Sequence, residues 1–97
     1  MVKLIKIVKS EKEKKKYKAV FKQDNGREKT THFGASGMND YTITGDKEAR
    51  TRYRKRHDKD LKTNDPTRAG YLSMFILWGD STSIKTNTSD YRKMFNL

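Results

Sequence analysis

The stretch Asp65–Trp78, D-P-T-R-A-G-Y-L-S-M-F-I-L-W, is the only segment of this chain apolar enough to found a core, and everything else must pack around it. Its punctuation predicts a helix. Asp65 suits an N-cap, Pro66 the first helical position and Gly79 a left-handed C-cap. From Ala69 to Trp78 the one clearly polar residue is Ser73, so nearly every side of this helix needs covering, which makes it central. A membrane span is excluded, because spanning takes about 20 apolar residues. This segment is shorter, with Arg68 and Asp80 close to its ends.

A chain of 97 residues predicts one small basic domain, 1–97, with a limited core. Charged residues reach 36%, close to the disordered regime, but five Tyr, four Phe and one Trp supply enough apolar bulk to fold. The 23 Lys and Arg against 12 Asp and Glu leave a formal charge of +11. Such a charge repels itself and implies a polyanionic partner: nucleic acid first, then an anionic membrane surface, then an acidic protein. The charge is concentrated. Residues 1–29 carry a net +7 and residues 46–62 a net +4, whereas the remaining stretches nearly cancel. The absence of cysteine excludes disulfides, thiolate metal sites and Cys nucleophiles. Lys3, Lys6 and Lys9 interrupt the apolar residues near the start, which argues against a signal peptide and for an intracellular or particle-associated protein.

Along the chain, Val2–Val8 is rich in β-branched residues and reads as a strand, although Leu4, Ile5 and Val8 also suit a helical face. Ser10–Lys16 is a solvated turn or frayed extension. Its lysines serve either as ordinary solvated surface and an edge guard or as phosphate contacts. Tyr17, Ala19 and Phe21 alternate with lysines as a half-buried strand, and Asp24-Asn25-Gly26 predicts a hairpin turn. A three-residue loop with Gly26 left-handed pairs Gln23 with Arg27 and Tyr17 with Phe33. A two-residue Asn25-Gly26 turn would instead set Phe33 beside Lys18 and Val20, so the first register is preferred. His32–Gly37 ends the second hairpin strand in a flexible loop. Its two glycines offer a weak GxxG phosphate-loop signal, and an ordinary turn is the better reading. Met38–Gly45 continues as loop, with Tyr41 and Ile43 expected to anchor it.

Asp46–Leu61 reads as a basic helix capped by Thr44 or Asp46. Ala49, Tyr53, His57 and Leu61 form its narrow apolar stripe; Arg50, Arg52, Arg54, Lys55 and Arg56 crowd the rest. Arginine forks suit phosphate oxygens, so this face is preferred as a polyanion surface over a merely solvated, ion-paired helix. After the central helix, Ile84, Thr88, Tyr91 and Phe95 recur as the stripe of a third helix. Its polar middle, Thr86–Ser89, allows a break with Ser89 as a second cap.

Catalytic signals are thin. His32 and His57 raise the possibility of a small nuclease, but no complete set of base and metal ligands accompanies them, and His57 reads as a half-buried, hydrogen-bonded residue. No P-loop, nucleophile elbow or metal-spaced cluster is present, so neither cofactor nor enzymatic activity is expected. The aromatics, Tyr71, Phe75, Trp78 and Phe95 above all, are assigned to packing; Tyr17 and Tyr53, set among lysines and arginines, are the better candidates for exposure and base stacking, although core packing is the preferred role for them as well.

The succession His32-Phe33-Gly34, Asp40-Tyr41-Thr42, Tyr53 with His57, Asp65-Pro66, Ala69-Gly70 with Leu72-Ser73, Leu77-Trp78, and Asp90-Tyr91 with Phe95 resembles a family of short, basic, uncharacterised proteins encoded by large double-stranded DNA viruses of algae and amoebae. The resemblance spans residues 15–97. It implies a viral origin and a virion component, or a location in the host cytoplasm or nucleus; it carries over no catalytic residues.

The expected fold is α+β: an N-terminal antiparallel sheet of two or three strands (1–34 mainly strands), then three helices (46–97 mainly helices), the second central. The expected function is sequence-independent binding or condensation of nucleic acid, double-stranded DNA being favoured. Lys14, Lys15, Lys16 and Lys18 would act on the sheet side and Arg50, Arg52, Arg54, Lys55 and Arg56 on the helix. The alternatives are a structural or minor virion protein that meets acidic subunits and, third, a small nuclease.

Overall fold

The computed structural model describes residues 2–97. Its architecture is α+β, a three-stranded antiparallel sheet in the order β1-β2-β3 followed by helices. The strands are β1 (Lys3–Lys9), β2 (Lys15–Lys22) and β3 (Glu28–Ala35). The β2–β3 hairpin has the expected register. Tyr17 pairs with Phe33, and the Gln23 amide donates to the Arg27 carbonyl at 2.8 Å. Gly26 takes φ 81°, the left-handed conformation that this three-residue loop needs. Ala19, Phe21 and Phe33 thus reach the core from one face, each fully buried. By alternation and pairing, Lys6, Val8, Lys18, Val20, Thr30 and His32 belong to the opposite face. In β1 the register shifts between Leu4 and Lys6, and the bulged Ile5 is 42% exposed while Leu4 is buried.

The helical part departs from the three long helices expected: among the described residues there are five helical segments. They are α1 (Tyr41–Thr44), α2 (Lys47–Arg56), a 3₁₀ helix (Asp58–Thr63), α3 (Ala69–Leu72) with its π-helical continuation (Ser73–Leu77), and α4 (Ile84–Phe95). Each difference has a local cause. Within Met38–Gly45, Asp40 caps α1 by accepting from the Thr42 amide at 2.9 Å; Tyr41 is buried as expected, but Ile43 is 61% exposed and anchors nothing. The basic helix stops at His57, where the Asp60 amide bonds the His57 carbonyl at 2.9 Å and the chain tightens to 3₁₀ winding until Asn64 turns left-handed.

The central helix starts at Ala69, three residues later than its punctuation suggests. Asp65 is spent on a turn instead: its carboxylate accepts from the Thr67 amide at 2.9 Å and the Thr67 hydroxyl at 2.6 Å, and Pro66 follows it in that turn. Those bonds hold the Asp65 carboxyl below its ordinary pKa, the Thr67 hydroxyl contributing most. Thr67 in turn ties the loop to the sheet, accepting from Lys29 Nζ at 2.8 Å and, through its carbonyl, from the Thr31 hydroxyl at 2.7 Å. The helix does occupy the centre. Tyr71, Leu72, Ile76 and Leu77 join Leu4, Ala19, Phe21, Phe33 and Tyr91 in one buried cluster.

Gly79 follows that helix but lacks the positive φ of a left-handed cap. Space is what requires glycine there: a Cβ would lie 2.2 Å from the Phe75 carbonyl oxygen and 2.8 Å from Asn87 Cγ. α4 runs unbroken through its polar middle, because Thr88 donates to the Ile84 carbonyl at 2.7 Å and Asn87 turns inward. The Asn87 amide donates to the carbonyls of Ile76 (2.8 Å) and Ser81 (2.7 Å), and its oxygen accepts from the Ser81 amide at 3.0 Å. Asn87→Ala leaves those buried groups unsatisfied. It should lower stability by about 2–4 kcal/mol in a urea titration, moving the midpoint without changing the slope.

Candidate nucleic-acid interface

The nine cations singled out from the sequence fall into two groups in the structure. Arg50 and Arg54 lie across the carbonyl end of the central helix. Arg50 Nε donates to the Trp78 and Gly79 carbonyls at 3.1 and 2.8 Å, and its Nη2 reaches Asp80 at 2.6 Å. Arg54 Nη1 donates to the Met74 and Trp78 carbonyls, both at 3.0 Å, with its guanidinium over the Phe75 ring. Burial, and then the nearby Arg50, lowers the Arg54 pKa from its ordinary value. On the sheet side, Lys16 is mostly buried and pairs with the buried Asp40 at 2.6 Å. Lys18 pairs with Glu11 at 2.8 Å, a bond that draws the Glu11 carboxyl below its usual range.

Lys14, Lys15, Arg52, Lys55 and Arg56 are exposed. Of these, Arg52 lies at 4.0 Å from Glu48, a surface i,i+4 pair of little energetic weight. Helical periodicity explains the split on α2: Arg50 and Arg54 are four apart and share one face, turned to the fold.

The two basic stretches, distant in sequence, meet around one pocket of 380 Å³, with Lys15 and Lys16 contributed by β2 and Arg56 by the end of α2. Tyr53, His57 and Trp78 line it as a continuous stack. The Tyr53 and Trp78 rings lie 4.4 Å apart and 7° from parallel, and His57 lies 4.2 Å from Tyr53. His57 Nδ1 is 3.1 Å from Asp60 Oδ2, which fixes the imidazole orientation. Burial raises the Tyr53 phenol pKa, partly offset by the Ser73 hydroxyl. From the sequence, Trp78 is assigned to packing and Asp40 enters only within the resemblance. Besides Lys15, Lys16, Tyr53 and Arg56, already singled out, the resemblance points here, since Phe33, Gly34, Asp40, Gly70, Ser73 and Leu77 border the pocket with the aromatic stack.

His32 lies elsewhere, with Nδ1 2.7 Å from the Ser10 hydroxyl, and does not line this pocket. Among the described residues no group of three or more His, Cys, Asp or Glu side chains is placed to hold a metal ion. No helix there is long and apolar enough to cross a membrane.

Over residues 5–57 the chain matches a family of unknown function, DUF5754, and belongs to it. The match takes in nearly all of the sheet and α2 and stops at His57, before the central helix. No curated protein and no solved structure matches the chain.

The two kinds of cation separate in a stability measurement. Arg54→Ala removes charged donors from two carbonyls and should cost about 1.5–3 kcal/mol in urea unfolding. Lys55→Ala, one position away but exposed, should change stability by no more than about 0.5 kcal/mol.

Proposed function

We propose that the protein binds nucleic acid through the phosphate backbone, without sequence preference, with double-stranded DNA the favoured polymer. Lys14 and Lys15 on one side and Arg52, Lys55 and Arg56 on the other are its contacts. The observation that carries this function is the meeting of the two basic stretches: Lys15 and Arg56 border the same pocket, so one polyanion can engage both. Exposed lysine and arginine side chains neutralise phosphates and release condensed counterions, which gives affinity without base readout. Arg50, Arg54, Lys16 and Lys18 are held by internal partners and are left out of the contact set. The resemblance to viral proteins extends the proposal to a role on a viral genome or in a virion.

Titration of labelled duplex DNA at several salt concentrations tests this. Affinity should fall linearly with salt on logarithmic axes. The combined change Lys15→Ala, Lys55→Ala and Arg56→Ala should flatten that slope by about 0.9 for each phosphate that is no longer neutralised. The three positions are exposed, so the urea midpoint of the variant should hold close to that of the parent. An unaltered slope would move the interface elsewhere, and no binding at physiological salt would favour a protein that meets acidic subunits in an assembly.

A further inference from the structure

We propose that the pocket bordered by Lys15 and Arg56 receives a single unpaired nucleotide, its base against the Tyr53, His57 and Trp78 wall and its phosphate at the cationic rim. This builds on the nucleic-acid function above and adds what backbone contact alone does not give, a place for a base outside a duplex stack.

The pocket has the size and chemistry for such a group. Its 380 Å³ falls within the range of about 300–1,000 Å³ typical of small-ligand sites. The three rings are stacked on one another, with His57 and Trp78 covering the two faces of Tyr53, so the stack offers a base its ring edges and the outer faces of His57 and Trp78, surfaces that take any flat heteroaromatic group. Asn39 and Ser73 add hydrogen-bonding groups to the lining. The two carboxylates present are already engaged. Asp40 is held by Lys16 at 2.6 Å and by the Thr42 amide and hydroxyl, and Asp60 by His57 at 3.1 Å. Lys15 and Arg56 remain as exposed cations at the border, one from the sheet and one from a helix, where a phosphate attached to a seated base is within the same opening.

A protein with this pocket handles nucleotides that are unpaired or extruded, because bases inside a duplex cannot reach a recessed wall. Single-stranded segments and strand ends are therefore bound by base and phosphate together, and intact duplex by phosphate alone.

Trp78 is the sole tryptophan of the chain and lines the pocket, so its fluorescence reports occupancy directly. The full chain is titrated with adenosine 5′-monophosphate, adenosine and inorganic phosphate, and in parallel with labelled single-stranded and duplex DNA. The monophosphate should quench Trp78 saturably, adenosine more weakly, and inorganic phosphate not at all. Ala35→Phe, which adds bulk at the pocket border without altering charge, should weaken the monophosphate by about tenfold or more. The pair Lys15→Gln and Arg56→Gln should weaken the monophosphate several-fold and leave adenosine unchanged; both positions are exposed, so this arm stands even if Ala35→Phe unfolds the chain.

Quenching by inorganic phosphate alone, or quenching that survives in a folded Ala35→Phe variant, would overturn the proposal in favour of general anion binding. Duplex binding with no nucleotide quenching would overturn the pocket and leave the backbone function standing. Nucleotide quenching with no polymer binding at physiological salt would uphold the pocket and remove the backbone function.

Discussion

The end of the central helix presents backbone carbonyls that its own winding does not satisfy, and the rest of the helical layer is arranged to supply their donors. Where α3 passes into π-helical winding and then stops at Trp78, the carbonyls of Met74, Ile76, Trp78 and Gly79 take side-chain donors from two other elements. Arg50 and Arg54 come from α2, and Asn87 comes from α4. An arginine suits this position for two reasons: its fork spans several acceptors at once, and a cation complements the negative end of the helix dipole. One helix terminus thereby sets the placement of both neighbouring helices. Gly79 allows α4 this close, since any side chain there would collide with the Phe75 carbonyl and Asn87.

This clamp changes the meaning of the high positive charge. A formal +11 overstates what faces solvent, because some cations are structural and held by carbonyls or buried carboxylates. The remainder is not spread evenly, and its distribution around the pocket follows from the fold: the Lys16–Asp40 pair joins β2 to the residue that caps α1, and α2 then brings Arg56 to the same opening. Tyr53 and Trp78, in face-to-face contact, form part of the pocket wall.

Much of the sheet was legible in the sequence, because its signals are local. Alternation placed Ala19 and Phe21 inward, and Asp24-Asn25-Gly26 chose the register that sets Tyr17 opposite Phe33. The central role of the Tyr71–Leu77 segment followed from its lack of a polar face. The helix boundaries did not follow, since Asp65 and Gly79 have the right identities for caps but are used otherwise, one in a turn with Thr67 and one for close approach. The basic helix shows the limit most clearly. Helical spacing groups Arg50 with Arg54, but that their face meets a cluster of carbonyls distant along the chain, while Arg52, Lys55 and Arg56 face solvent, is set by tertiary packing. The aromatic pocket was hidden for the same reason, as Trp78 and Tyr53 become neighbours only through tertiary packing.

Arg92 on α4 donates to the carbonyls of Leu4 and Ile5 at 3.3 and 3.1 Å, at the bulge of the edge strand β1. A contact that closes a loop of this length is entropically late in folding and slow to form. During synthesis, β1 can pair with β2 early, but its bulge stays unfastened until the residues of α4 have left the ribosome. Until then the Leu4 and Ile5 carbonyls lack that donor, and the lysines that interrupt β1 guard its edge against pairing with other chains.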